Sequence, residues 1–344
     1  MLKSIFVSSL VISQILAADF DYPEDGESWA DASVLGVGKT NYCGSTHRFQ
    51  SPIDIHTSTL STCPTTKPLT WKLEPIHKFI VENTGHNLKM IPQCCGIIDN
   101  EDSGSGDGDD SNDDSHDDSD DNPEFENLKS GKSFGVLTDI FGSMEEYCLD
   151  SFHIHWGKDD NEGSEHRING EQSVMEMHFV HRACTYDTIS KAIGIEINDD
   201  STADRTLAVV SVLFETGEEN ELIKKIVEEI AKLKEPEHEI VIEDDGLSMF
   251  DVVPMNEGKI DGEYYHYKGS LTTPPCTPVV SWHVLEKKMT VSQAQLDSLR
   301  KYIQKEDGTV GHENFRGAKT NGHKVYKCSA SGSGDDDSDD EKDD

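Results

Sequence analysis

The sequence is poor in positive charge and in apolar residues. It carries 30 lysine and arginine residues against 67 aspartate and glutamate residues, for a formal net charge of −37 at pH 7. A protein that binds nucleic-acid phosphates needs a basic face, so this balance excludes that class. Hydrophobic residues make up only 34% of the chain. The longest apolar run, residues 5–16, is shorter than the roughly 20 residues that span a bilayer, so no membrane span is expected.

Two common motifs are also missing. There is no N-x-S/T acceptor, so N-glycosylation is not expected, and no C-x-x-C pair of the kind that holds a structural zinc ion. The eight cysteines are an even number, which favours disulfide bonds in a secreted chain. Their spacing alone leaves the pairing open; they lie at positions 43, 63, 94, 95, 148, 184, 276 and 328.

The first 18 residues have the layout of a cleaved secretory signal. Lys3 precedes the apolar run, and the small residues Ala17 and Ala18 follow it. An uncleaved membrane anchor is the alternative, which the shortness of the run disfavours. We therefore expect a soluble, secreted, extracellular protein whose mature chain begins near residue 19.

Much of the acid lies in two low-complexity tracts. Residues 99–126 hold 14 acidic and no basic residues, and residues 331–344 hold 8 acidic residues and one lysine. Such blocks cannot bury enough apolar surface to fold. The predicted organisation is a signal at 1–18 and one domain at 19–327, interrupted by a disordered insertion at 99–126 and followed by a disordered tail at 328–344.

Outside these tracts the hydrophobic periodicity is mostly that of strands. Short alternating patterns cover residues 71–91, 148–156, 171–181 and 207–214. Helical spacing occurs at 218–233 and, more weakly, at 292–302. Many strands and few helices predict a mixed α/β, sheet-dominated domain.

Three histidines carry the chemistry. On a strand, side chains two apart share a face, so His153 and His155 point the same way, and Glu176 and His178 share a face of a second strand. Three imidazoles from neighbouring strands leave one tetrahedral position open, which is typical of catalytic and not of structural zinc. The alternative from spacing alone is ordinary strand histidines, since H-x-H is a weak motif.

Taken together, eight segments resemble the alpha-class carbonic anhydrases, in that family's order. The resemblance implies a large, twisted, mostly antiparallel central sheet with short surface helices, and a zinc enzyme that reversibly hydrates carbon dioxide to bicarbonate. The matching segments are QSPIDI (50–55), the pair Gly85-His86, FHIHWG (152–157), GSEHRING (163–170), MEMHFVH (175–181), LAVVSVLF (207–214), GSLTTPPCTPVVSWHV (269–284) and NFR (314–316).

The resemblance also implies roles for single residues. His153, His155 and His178 become the zinc ligands, and Glu165 and Thr272 the pair that orients the zinc-bound hydroxide. The remaining implied roles are Thr273 for bicarbonate binding, Glu176 as acceptor of the free ring N–H of His178, His86 as proton shuttle, and an apolar carbon dioxide wall of Val180, Val209, Leu271, Val280 and Trp282.

The family pattern also implies one disulfide, between Cys43 and Cys276, which would pin the loop carrying Thr272. The other six cysteines have no assigned partner.

Two positions depart from the family. Ser151 stands where a glutamine usually contacts the first zinc histidine, and Lys89 replaces an asparagine near the shuttle, where its charge would lower the pKa of His86.

The acidic tracts supply closely spaced carboxylates, which suit weak, multivalent calcium binding. Their layout is similar to that of the nacrein-type carbonic anhydrases of calcified matrices, although the composition differs. We therefore expect an enzyme that supplies carbonate for calcium carbonate growth, with calcium, mineral and matrix components as partners. One alternative for the whole protein is an inactive calcium-binding matrix protein on the same scaffold. The alternative for the acidic tracts alone is that they only keep the protein soluble.

Overall fold

The structure is a computed structural model. It describes residues 29, 41–44, 49–65, 68–73, 78–93, 135–138, 146–194, 205–243, 252–256, 259–303, 308, 313–320 and 322–330. The expected signal, the acidic insertion, and Cys94 and Cys95 lie outside these residues. No helix within the described ranges has the length and apolarity needed to cross a membrane.

Strands dominate the described chain, as the periodicity predicts. In chain order they are β1 (Asp54–Ile55), β2 (Ser61–Thr62), β3 (Thr70–Leu73), β4 (Lys78–Asn83), β5 (Leu88–Pro92), β6 (Gly135–Thr138), β7 (Glu146–Trp156), β8 (Arg167–Ile168), β9 (Glu171–Gln172), β10 (Met175–Ala183), β11 (Leu207–Thr216), β12 (Glu239–Glu243), β13 (Met255–Asn256), β14 (Lys259–Ile260), β15 (Glu263–Gly269), β16 (Val280–Leu285), β17 (Met289–Val291) and β18 (Tyr326–Ser329).

The α-helices within the described ranges are short and capped by polar side chains. They are α1 (Ile189–Ile193), α2 (Glu221–Glu229), which runs on into a 3-10 turn at Ile230–Lys232, and α3 (Gln293–Tyr302). Asn220 caps α2 by accepting the N–H of Ile223, so this helix begins three residues later than the pattern predicts. Ser292 forms a capping box with Gln295 at the start of α3. Helix α1 was not predicted.

In the part of the chain that the structure describes, thirteen strands form one large sheet in the order β12-β4-β5-β7-β10-β11-β16-β15-β18-β2, with β3, β6 and β17 paired off this path. The pairs are antiparallel except for β11 with β16 and β17, and β18 with β2. The predicted sheet-dominated, mostly antiparallel fold is confirmed.

The two faces of the sheet carry separate apolar clusters. Phe152 and Ile154 of β7 and Phe179 of β10 pack in the larger cluster, on one face. The alternating residues between them, among them His153 and His178, face the other way. Apolar burial on one side of β7 and β10 therefore holds the predicted metal ligands on the other.

Two further boundary predictions were wrong. The pattern at 171–181 predicts one strand, but β9 and β10 are separated at Ser173, whose backbone and that of Ser164 are hydrogen-bonded to each other. The predicted tail at 328–344 begins inside β18, where Cys328 is bonded to Cys63. The tail prediction is thus limited to residues 331–344, which the structure does not describe.

Three disulfides tie the described chain together. Cys43 is bonded to Cys276, as the family resemblance implied, with the Cα atoms 4.9 Å apart. The other two bonds are those that spacing could not assign, Cys63–Cys328 and Cys148–Cys184. The first of the three anchors the loop that follows β15, which carries Thr272.

Gly269, the last residue of β15, has no room for a side chain. A Cβ atom there would lie 2.2 Å from Oγ of Ser51 and 2.7 Å from Cδ1 of Trp282. We predict that Gly269→Ala lowers the free energy of unfolding by about 1–3 kcal/mol through overpacking. Chemical denaturation measures this loss. The exposed neighbour Lys268 provides the control: Lys268→Ala should change the free energy by less than about 0.5 kcal/mol, as surface substitutions usually do. Equal stability of the glycine variant and wild type would contradict the packing described.

Candidate metal centre

The three predicted ligand histidines lie side by side on two paired strands. His153 and His155 come from β7 and His178 from β10, and His153 stands directly opposite His178. One ring nitrogen of each can be chosen so that the three atoms lie within 4.8 Å of one another. The ring centroids are 4.6–5.1 Å apart. The structure therefore brings the three imidazoles into one cluster.

Hydrogen bonds orient two of these rings. Nδ1 of His155 lies 2.7 Å from the carbonyl oxygen of Asn314, which can only accept, so Nδ1 carries the proton. Nε2 of His178 lies 2.6 Å from Oε1 of Glu176 and donates to it. In neutral rings the other nitrogens, Nε2 of His155 and Nδ1 of His178, then carry lone pairs. These two nitrogens face each other at 3.2 Å.

Two facing lone pairs repel unless a cation lies between them. A tetrahedral zinc ion with Zn–N bonds of 2.0–2.1 Å places two ligand nitrogens about 3.3 Å apart. The observed 3.2 Å matches that spacing. The residues present therefore fit zinc held by His153, His155 and His178.

Burial keeps all three imidazoles neutral, as metal ligation requires. It lowers the pKa of His155 to about 4. It also lowers the pKa of His178. For His153, burial, the two neighbouring histidines and then Lys89 lower the pKa well below its ordinary value. At neutral pH each ring has a lone pair available for a metal ion.

Glu176 is the centre of a buried hydrogen-bond network. Besides His178, its carboxylate accepts the backbone N–H of His166 at 2.8 Å and the hydroxyl of Ser211 at 2.6 Å. Nδ1 of His166 lies 2.6 Å from the same carboxylate. Burial alone would raise the pKa of Glu176, but His166 and His178 outweigh it and hold this pKa well below its ordinary value. The carboxylate is thus ionised and fixes the ring of His178.

His166, Glu176 and His178 also approach one another closely enough to suggest a second metal site. His178 belongs to the first cluster, however, and the Glu176 carboxylate is already engaged by several hydrogen bonds. Nε2 of His166 lies 2.7 Å from the hydroxyl of Tyr267. We therefore interpret this group as the support of the metal centre.

Glu165 lies directly beside the histidine cluster. Its Oε2 is 3.6 Å from Nε2 of His155 and 3.8 Å from Nδ1 of His178. Its Oε1 accepts the backbone N–H of Arg316 at 2.8 Å. Burial raises the pKa of Glu165 to about 7, although a hydrogen bond from the Thr272 hydroxyl opposes this rise. Thr272 and Glu165 are therefore brought together at the centre.

The five residues predicted to form an apolar wall are gathered on this face. Val180, Val209, Val280 and Trp282 belong to one buried cluster, and Leu271 packs against it. The ring of Trp282 lies 4.8 Å from that of His178. Thr273, next to Thr272, is half-buried.

His86 lies in the turn between β4 and β5 and is half-buried. Its carbonyl oxygen accepts a hydrogen bond from the side-chain amide of Asn314 at 3.2 Å. The same Asn314 holds His155 through its own carbonyl oxygen. One residue thus links the backbone of the predicted shuttle to a predicted metal ligand.

Ser151 does not replace the glutamine contact of the family. Within the described ranges, neither Ser151 nor the ring of His153 makes a side-chain hydrogen bond. Lys89 stands opposite His153 on β5. The charge of Lys89 therefore acts on His153, a consequence that the sequence comparison did not anticipate.

The chain belongs to the eukaryotic-type carbonic anhydrase family, whose model matches residues 127–329. That range contains the three histidines, Glu165 and Thr272, and begins after His86. The chain is 28% identical over 313 residues to mouse "Carbonic anhydrase 6", a match covering 87% of this chain and 80% of the relative.

Other relatives match over smaller shares. The human protein "Carbonic anhydrase 12" is 28% identical over 286 residues. This match covers 80% of this chain and 64% of the relative, slightly less than two thirds. The nematode (Caenorhabditis elegans) "Putative carbonic anhydrase 3" is 33% identical over 46% of this chain and 55% of the relative.

Sequence reasoning missed several residues that shape the centre. Asn314 and Arg316 lie in the NFR segment, to which no role was given, and His166 and Ser211 lie in other matching segments. Asn314 and Arg316 act partly through backbone groups, for which residue type carries no signal. His166 lies outside the alternating patterns of the sequence, and its partner Tyr267 is 101 residues away.

We predict that Glu176→Gln weakens zinc binding about 10- to 100-fold, because the ring of His178 loses its charged acceptor. Competition with a chelator of known affinity measures the change. Glu171→Gln, an exposed carboxylate on neighbouring β9, is the matched control and should bind zinc like the wild type. Unchanged affinity in the Glu176 variant would contradict the role of this carboxylate.

Proposed function

We propose that this protein reversibly hydrates carbon dioxide to bicarbonate and a proton, with one zinc ion held by His153, His155 and His178. The observation that carries the proposal is the pair of facing imidazole nitrogens at 3.2 Å, beside the carboxylate of Glu165. Membership of the carbonic anhydrase family supports it.

Zinc at such a site supplies a nucleophile at neutral pH by lowering the pKa of a water from 15.7 to about 7. The residues of the chain first orient this nucleophile. The Thr272 hydroxyl donates to the Glu165 carboxylate, so its oxygen can only accept from a group at the centre. That arrangement fixes which lone pair of the nucleophile faces the substrate.

The substrate side of the site is apolar. Carbon dioxide has no charge, so a wall of Val180, Val209, Leu271, Val280 and Trp282 suits it better than polar groups do. In this proposal Thr273, beside Thr272 in the same loop, hydrogen-bonds bicarbonate. We assign the export of the released proton to the ring nitrogens of His86, since histidine is the side chain best suited to exchange protons near neutral pH.

We predict that Thr272→Val lowers kcat/KM for hydration about 10²-fold, because the nucleophile is no longer oriented. Thr272→Ser keeps the hydroxyl and should retain most of the activity. Stopped-flow hydration assays on preparations with measured zinc content test both. If the valine variant were as fast as the wild type at full zinc content, the orienting role would be wrong.

The alternative of an inactive scaffold has less support. A chain that had lost the reaction would be expected to lack a ligand histidine or the orienting threonine, and all four are present. The discriminating measurement is hydration before and after chelation. Full zinc content with no hydration would favour the inactive scaffold, whereas full activity without zinc would overturn the zinc mechanism.

We further propose that the enzyme is secreted from a precursor with an 18-residue signal and that its catalytic domain runs from residue 19 to residue 330, so that it includes the whole of β18. The acidic tracts would gather calcium near the site of bicarbonate production in a calcified matrix. Support comes from the sequence of these tracts, whose density of carboxylates suits calcium. At physiological salt, charges more than about 8 Å apart are largely screened from each other. The acidic tracts therefore affect the zinc centre only if they fold over it.

We predict that the full-length chain binds several calcium ions with dissociation constants of about 10⁻⁴–10⁻³ M. A variant lacking residues 99–126 and 331–344 should lose most of this binding and keep its hydration rate. Isothermal titration with calcium chloride measures the difference. Indistinguishable calcium binding by the two proteins would remove the calcium role.

A further inference from the structure

A row of polar residues crosses the sheet and ends at the metal centre. Glu239 of β12 stands opposite Glu82 of β4, Glu82 opposite Lys89 of β5, and Lys89 opposite His153 of β7. Directly opposite residues of paired strands share a face and lie within reach of each other. Lys89 is therefore the basic member of this row, next to a predicted zinc ligand.

Among the three ligand histidines, the one next to Lys89 is the most accessible. His153 is half-buried, whereas His155 and His178 are 0% and 1% exposed. Lys89 is half-buried as well. A molecule that reaches the metal centre past His153 therefore passes the side of the site on which Lys89 stands.

The ammonium charge of Lys89 is not consumed by a partner. Within the described ranges it forms no ion pair or hydrogen bond, and its only interactions are longer-range ones with Glu82 and His153. Burial raises the pKa of Glu82 and Lys89 lowers it, which places the two charges in each other's field. The charge of Lys89 is thus available to an anion.

The two carbon species of the reaction differ in charge. Carbon dioxide is neutral, whereas bicarbonate is an anion that must approach and leave a chain with a net charge of −37. Distant acidic groups are screened within about 8 Å at physiological salt, but an adjacent charge is not. A lysine beside the centre therefore acts selectively on bicarbonate.

We propose that Lys89 forms an anion subsite beside the metal centre, which holds bicarbonate as it enters or leaves, and that Glu82 weakens this subsite by partly cancelling the lysine charge. The inference rests on the proposed hydration activity and adds to it a residue that sets affinity for the anionic partner.

The reaction equilibrium limits what a variant can change. The ratio of kcat/KM in the two directions is fixed by the equilibrium constant, so Lys89 cannot favour one direction. Its loss should instead raise the KM for bicarbonate and the inhibition constants of bicarbonate and thiocyanate during hydration. The kcat/KM for neutral carbon dioxide should change little.

The test compares zinc-loaded Lys89→Gln, Lys89→Arg, Glu82→Gln and Lys78→Gln with the wild type. Lys78→Gln is the matched control, because Lys78 lies four residues from Glu82 on β4, about 13 Å along the strand, and pairs with Glu243. We expect Lys89→Gln to raise both inhibition constants about 3- to 10-fold. Lys89→Arg and Lys78→Gln should stay within about twofold, and Glu82→Gln should lower the constants.

Unchanged inhibition constants in Lys89→Gln would overturn the subsite. An equal rise of these constants in Lys78→Gln would also overturn it, because the effect would then be one of net charge. Calorimetric titration of the zinc-loaded proteins with thiocyanate separates this failure from that of the proposed function. If the wild type does not hydrate carbon dioxide but Lys89→Gln still binds thiocyanate more weakly, the proposed function fails and the subsite stands.

Discussion

Two imidazole nitrogens that face each other at 3.2 Å, Nε2 of His155 and Nδ1 of His178, are the constraint on which the site depends. Each ring is held in this orientation because its other nitrogen donates to a buried acceptor, the carbonyl of Asn314 or the carboxylate of Glu176. A protein interior would not retain two opposed lone pairs without compensation. A shared divalent cation would supply it, and the pairing of β7 with β10 sets the distance between the two nitrogens.

The sheet makes this arrangement possible because one face packs in the apolar core and the other carries the polar residues of the site. Large apolar side chains on β7 and β10 pack on one face and fix the backbone. The alternating positions are thereby free to carry histidines and carboxylates. Glu165 and Glu176 are both almost fully buried, a costly placement that is tolerated because each carboxylate accepts hydrogen bonds and lies beside the metal ligands.

The features that follow strand or helix periodicity were predictable. Alternation placed His153 and His155 on one face and Glu176 with His178 on the next, and the motif GSLTTPPC located Thr272. What escaped prediction depends on groups that residue type does not specify. The carbonyl of Asn314 is a backbone atom, the Cys63–Cys328 bond joins positions 265 apart, and the break between β9 and β10 depends on hydrogen bonds to Ser164. The placement of Lys89 against His153 required the register of β5 with β7, which no single-strand pattern contains.

X-ray absorption at the zinc edge, measured on the purified protein, tests the central claim most directly. The account predicts one zinc ion per chain with three imidazole nitrogens at about 2.0–2.1 Å and a fourth, oxygen ligand. A chain that binds no zinc, or zinc held by sulfur or by fewer than three imidazoles, would contradict it.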